Sequence, residues 1–172
     1  MSGVTLQTQV VGDAAIRAFA QLRGVVSDTA PIMRAIGTAL VESTHTRFEK
    51  AVDPEGNAWE PLNPLYESIK RGPGILRESG MRGGLMGSIT RRATHDSVEI
   101  GTNKIYAAVH QFGAVIRPVR ARKLRFWLST GLVAAEEVTI PARPYLGISD
   151  EDELTIYETL VDALDRAIGL GR

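Results

Sequence analysis

Val4, Leu6, Thr8 and Val10 alternate with polar residues as far as Gly12, a two-residue period that predicts a half-buried strand. After Asp13, a helix cap, the period changes. Ile16, Phe19, Leu22 and Val26 recur at helical spacing until "SDTAP" interrupts them, and Pro31 suits the first turn of a second helix running to about Phe48. Ile36, Leu40 and Phe48, with Thr44 completing the spacing and Ile32 at its start, give that helix one inward face. From Ala51 to Gly87 regularity fails under dense proline and glycine, which predicts a long irregular excursion pinned by Trp59, Leu62 and Tyr66.

Beyond it, Ser88 to Thr94 and Ser97 to Gly101 read as a β-hairpin turning near His95 and Asp96. In "KIYAAVHQF", Ile105, Ala108, Val109 and Phe112 share one side of a short helix, with Phe112 expected in the core and Gly113 ending the helix through a left-handed residue. Strands are predicted at Ala114 to Ile116, Leu124 to Leu128 and Glu137 to Ile140. A last amphipathic helix follows. Ser149 and Asp152 form a capping box, Asp150 to Glu153 favour the positive helix end, and Leu154, Tyr157, Leu160, Val161, Leu164 and Ile168 make its apolar stripe before Gly169. At about 1.5 Å per residue it would be roughly 30 Å long, enough to cross a small sheet. The expected class is α+β: a small, mostly antiparallel sheet with amphipathic helices packed on one face and a long irregular loop.

Composition narrows the function. At 172 residues the chain suits one domain, 1–172, and 44% hydrophobic with 23% charged residues is ordinary for a globular protein. No run approaches the ~20 apolar residues of a membrane span, and the amino terminus has no cationic segment before an apolar block, so neither membrane attachment nor a secretory leader is expected. The absence of cysteine excludes disulfides, thiolate nucleophiles and cysteine-based zinc sites. Its three histidines, His45, His95 and His110, lack ligand-pair spacing. "GLMGSIT" lacks the second glycine of a nucleophile elbow, and "RGPG" does not lead a strand into a helix as phosphate loops do. No enzyme activity, cofactor or metal is expected.

Twenty basic and twenty acidic residues cancel, so the local distribution matters. In "RPVRARKLRFW", Arg117, Arg120, Arg122, Lys123 and Arg125 lead into Phe126 and Trp127 without an intervening acid. Such a segment could hold single-stranded nucleic acid or face a protein. The final helix carries the opposite sign, with Asp150 and Glu151 at its head, and opposite patches on one protomer suit a head-to-tail contact that closes into a ring. Finally, "IPARPYLG" sets Arg143 between two prolines beside Tyr145. Proline restricts the backbone there and holds the guanidinium for recognition, either within the domain or across subunits.

Together, "DPEGNAWEPLNPLY", "ILRESG", "SI", "VEIGTNKIYAAVHQFGA" and "IPARPYLGISDED" resemble the phage virion morphogenesis family, the tail completion proteins of Mu-like and related tailed phages. The likeness runs from about Phe48 to Ile156, and "MRGG" before Leu85 looks like a small insertion. The resemblance implies a non-enzymatic structural protein of tail completion or head-tail joining. It would form a homo-oligomeric ring, six copies being one candidate number, docked to tail-tube or neck proteins. It would act in the host cytoplasm during assembly and then reside in the virion. Candidate partner contacts are Arg117, Arg120, Arg122, Lys123, Arg125, Arg143, Tyr145, Trp59, Asp150 and Glu151. The competing reading is a nucleic-acid-binding module using residues 117–125.

Overall fold

The computed structural model describes residues 17, 20, 22–24, 27–78 and 84–168. The strand expected at Val4 to Val10 and the insertion residues Met81 to Gly83 lie outside them. So do Ile16, Phe19 and Val26 of the first helical pattern, whose described residues Arg17, Ala20, Leu22 to Gly24 and Ser27 are helical.

Helix α1 (Ala30–Lys50) opens on Pro31 and ends at Ala51, whose left-handed conformation, φ 54°, lets its N–H reach the Arg47 carbonyl. Its inward face is Ile36, Leu40, Thr44, Arg47 and Phe48. The hairpin β1 (Thr90–Ala93) and β2 (Val98–Gly101) lies across this helix in the register Thr90 to Gly101 and Ala93 to Val98. Gly37 makes the crossing close: a Cβ there would sit 2.7 Å from Val98 Cγ2 and 2.8 Å from Arg91 Cδ.

Among the described residues the strands form three separate antiparallel ladders. After the short helix α2 (Pro64–Glu67) and a 3-10 turn at Met86–Ser88 come the first hairpin and then α3 (Ala107–Phe112). Next, β3 (Ala114–Ile116) pairs with β6 (Val138–Ile140), and between them β4 (Leu124–Leu128) pairs with β5 (Gly131–Ala135). Strand β5, absent from the sequence reading, follows a tight turn at Ser129 and Thr130 in which Gly131 takes φ 111°. The fold is α+β, with α1 against the first hairpin and α4 (Asp150–Ile168) packed on α1.

The buried core brings together Phe48, Trp59, Leu76, Leu85, Met86, Ile89, Ala107 and Tyr145. Phe48 stands edge-on to Trp59 with ring centres 5.5 Å apart and meets Tyr145 at 5.1 Å, favourable aromatic separations. Trp59, Leu76, Leu85 and Met86 all come from the irregular stretch between Ala51 and Gly87, so that excursion forms much of the core. Leu62 is half-buried, but Tyr66 is exposed.

Two helices turn opposite to expectation. In α3 Ala107 is buried and Val109, His110 and Gln111 are half-buried, while Ala108 and Phe112, the latter 77% exposed, face outward and Ile105, just before the helix, is fully open. The backbone at Gly113 explains this: φ 73° with ψ 164° sends the chain straight into β3 instead of closing a left-handed cap. In α4 Leu154, Tyr157, Leu160 and Leu164 of the expected stripe face outward while Val161 is half-buried, and Asp152, Thr155, Ile156, Thr159, Ala163, Asp165 and Ala167 are the other more buried positions. Small side chains let α4 approach α1 closely; the large ones are left on the solvent side.

The start of α4 is held by a buried ion pair. Ser149 N–H donates to Asp152 Oδ2 at 2.9 Å and Asp152 N–H to Ser149 Oγ at 3.2 Å, the anticipated capping box. The same Asp152 oxygen accepts from the Arg47 guanidinium of α1. Burial pushes the Asp152 carboxyl up, but the Ser149 N–H, the Ser43 and Ser149 hydroxyls and Arg47 together outweigh it and hold it below its usual 3.8. His110 shifts through burial and the nearby Arg143 charge, both of which press it below its usual 6.5.

Phe48→Ala should cost about 3–5 kcal/mol in urea unfolding, whereas Phe112→Ala should stay within about 0.5 kcal/mol. Equal costs would contradict the orientation of α3. Stability should also fall on acidification in two stages. Below pH 6.5 the unfolded chain binds a proton at His110 that the folded domain resists. The Asp152 contribution is complete above 3.8 and is lost as pH drops through its lowered folded value. Asp152→Asn should remove the second stage and cost about 3–5 kcal/mol at neutral pH by leaving Arg47 buried without its partner.

Candidate functional site

Residues 141–147 have no regular secondary structure, yet they seat two buried side chains, Arg143 and Tyr145. A buried backbone without ladder partners must find other donors and acceptors, and here side chains supply them. Trp59 Nε1 donates to the Pro144 carbonyl at 2.8 Å. Arg47 donates to the Tyr145 and Gly147 carbonyls at 3.3 and 2.9 Å. Gln111 is a two-way clamp: its Oε1 accepts the N–H groups of Tyr145 and Leu146, both at 3.0 Å, and its Nε2 donates to the Leu146 carbonyl at 2.9 Å. The Arg143 N–H reaches the His110 carbonyl at 2.7 Å. Gly113 admits this approach, since a Cβ there would meet Ala142 N at 2.9 Å and Ile140 O at 3.1 Å.

Arg143, held between its prolines, is 5% exposed and points inward. Its Nε and Nη2 donate to the Glu60 and Pro61 carbonyls at 2.8 and 3.0 Å. Tyr145 is 1% exposed and its hydroxyl donates to the Ala107 carbonyl at 3.2 Å; burial pushes its phenol pKa up. With Trp59 also buried, three residues selected as partner contacts are instead bonded within their own domain, and the intradomain reading of Arg143 is the one realised. The residues that sequence reasoning missed are Gln111 and Arg47. A signal existed for Arg47: it sits on the inward face of α1, beside Phe48 and three positions beyond Thr44.

The other selected residues are on the surface. Arg117, Arg120, Arg122, Lys123, Arg125, Asp150 and Glu151 are all exposed. Arg117 is not free, since its guanidinium makes two bonds to Glu137 across the β3–β6 end, at 2.8 and 3.0 Å. Among the described residues, the remaining four cations have no ion-pair partner. Arg125 lies on the outer face of the β4–β5 hairpin with Trp127, Leu132 and Ala134. Trp127 is 70% exposed and directly opposite Leu132.

The histidines do not converge. His45 bonds the Met86 carbonyl at 3.0 Å, His95 is in the exposed β1–β2 turn, and His110 packs edge-on to Tyr106 at 5.9 Å. Among the described residues no group of three or more His, Asp or Glu is placed to hold a metal, and no helix is long and apolar enough to cross a membrane. A cleft of about 560 Å³ lies between the end of α1 and the start of α4 beside Arg47, Asp53 and Glu151. It is open and polar, lacking the apolar enclosure of a small-molecule site.

Gln111→Ala strands three backbone groups of the 141–147 turn. It should lower stability by at least about 2 kcal/mol, because unmade buried hydrogen bonds cost about 1–3 kcal/mol per group. Thermal unfolding checks this, and a loss within about 0.5 kcal/mol would show that the clamp is dispensable.

Comparison with known proteins matches the same region. The model of the phage virion morphogenesis family covers residues 10–165. The putative capsid assembly protein G of Escherichia phage Mu is 30% identical over 148 residues, covering 84% of this chain and 85% of that protein. The Mu-like prophage FluMu G protein 2 of Haemophilus influenzae is 31% identical over 145 residues, again covering 84% and 85%. No solved structure matches. With the family model spanning the core, the knitted turn and most of the last helix, this chain belongs to the phage virion morphogenesis family.

Proposed function

We propose that the protein is a non-enzymatic subunit of tail completion or head-tail joining, which oligomerises and docks to the tail tube or neck. The observation that carries this reading is the family match across residues 10–165, with a Mu relative named for capsid assembly. The side-chain chemistry is consistent with it. The polar groups that cluster most densely, Arg47, Gln111, Arg143 and Asp152, bond the domain's own backbone and one another. What faces outward is apolar and charged surface, which suits docking more than turnover. The subunit would be made in the host cytoplasm and end in the virion.

Deleting the gene from the phage or prophage that carries it should yield full heads and separate tails under the electron microscope, with infectivity restored by supply in trans. Mass spectrometry should find the protein in wild-type particles. Infectious, joined particles that lack it would overturn the proposal.

A further inference from the structure

The outward stripe of α4 and the outer face of the β4–β5 hairpin are matched in length, apolar character and charge. We infer that the hairpin of one copy docks on α4 of the next, head to tail. The inference deepens the assembly reading and rests on it.

A two-stranded ribbon alone is marginally stable in water. Among the described elements this one has its principal contacts between its own strands, and its turn meets the body through a backbone bond from Ser129 N–H to the Leu65 carbonyl at 3.2 Å. It nevertheless presents Trp127 and Leu132 side by side to solvent, with Arg125 on the same face about 7 Å away, two residues along the strand. Tryptophan and arginine are among the residues enriched at the energetic centres of interfaces.

Helix α4 supplies a counterpart. Leu154, Tyr157, Leu160 and Leu164 are all exposed, Tyr157 by 65%, and nothing among the described residues covers them. From Leu154 to Leu164 the stripe is about 15 Å long, and a five-residue strand is about 17 Å, so the two elements match end to end.

Charge selects the occupant. Glu151, Glu158 and Asp165 recur every seven residues and so form a row along one edge of the stripe. Two α4 helices packed face to face would bring these rows together, and like charges disfavour that. The hairpin brings Arg125, preceded by Arg122 and Lys123, none of them paired within the described residues. Used head to tail, two patches on different elements of one protomer make a heterologous contact, which propagates to a closed ring or an open filament.

The test uses the full chain in sedimentation velocity at low salt. Wild type should assemble; a hairpin variant, Trp127→Ser with Arg125→Glu, and a helix variant, Tyr157→Ser with Glu158→Arg, should each associate at least tenfold more weakly. Mixed in equal amounts, the two variants should form a one-to-one dimer and nothing larger, since one intact hairpin and one intact helix remain. Arg125→Glu and Glu158→Arg combined in one chain should restore assembly that either reversal alone weakens. Both positions are exposed, and unchanged thermal midpoints would show that the variants fold. A wild type that stays monomeric to about 1 mM overturns the inference, as cover by the chain's own amino-terminal residues would produce. So does a hairpin variant that assembles normally, as pairing of α4 with itself would produce, or a mixture that fails to pair. A monomer in solution that is still present in virions would remove this interface and leave the assembly reading standing.

Discussion

Backbone that carries buried side chains must have its polar groups answered, and the stretch from Pro141 to Gly147, which seats Arg143 and Tyr145, is where this chain meets that demand without a sheet or a helix. Carbonyls of Pro144, Tyr145, Leu146 and Gly147 each accept from a side chain, and those side chains come from α1, α3 and the irregular excursion. Proline at 141 and 144 helps by removing two N–H groups that would otherwise need acceptors. The turn thereby becomes the hub that fixes α1 relative to α3 and seats Tyr145 against Phe48.

The same economy governs α4. Arg47 divides its donors between the turn and Asp152, so the interior hub and the head of the last helix share one guanidinium. A buried ion pair of this kind contributes little net stability, but breaking it is costly, which favours a defined orientation. With its first turn fixed and its small residues against α1, the helix has to carry Leu154, Tyr157, Leu160 and Leu164 on the outside.

Local chemistry was legible in the sequence. The proline start of α1, the turn at His95 and Asp96, the strands at 114–116 and 124–128, and the Ser149 to Asp152 box rest on residues within a few positions of one another, and each lies where the pattern puts it. Orientation was not legible. Leucine and tyrosine at helical spacing mark an apolar face but not what covers it, and in α4 close packing through Thr155, Thr159 and Ala163 competes with burial of the larger side chains. The core share of Leu76, Leu85 and Met86 was hidden for another reason: lone apolar residues among glycines have no period to read. Of the residues proposed for partner contact, the sequence could supply type and rigidity but not direction, and Arg143, Tyr145 and Trp59 turned inward.

The bond from Arg47 to the Gly147 carbonyl joins residues 100 apart, and the Arg47–Asp152 pair spans 105. Loop closure over such distances precedes any reward from the contact, so topology of this kind slows folding. On the ribosome, Phe48 emerges about 100 residues ahead of Tyr145, the side chain that covers it. Over that interval the uncovered ring is open to wrong partners, a cost that a core assembled from neighbouring residues would not carry.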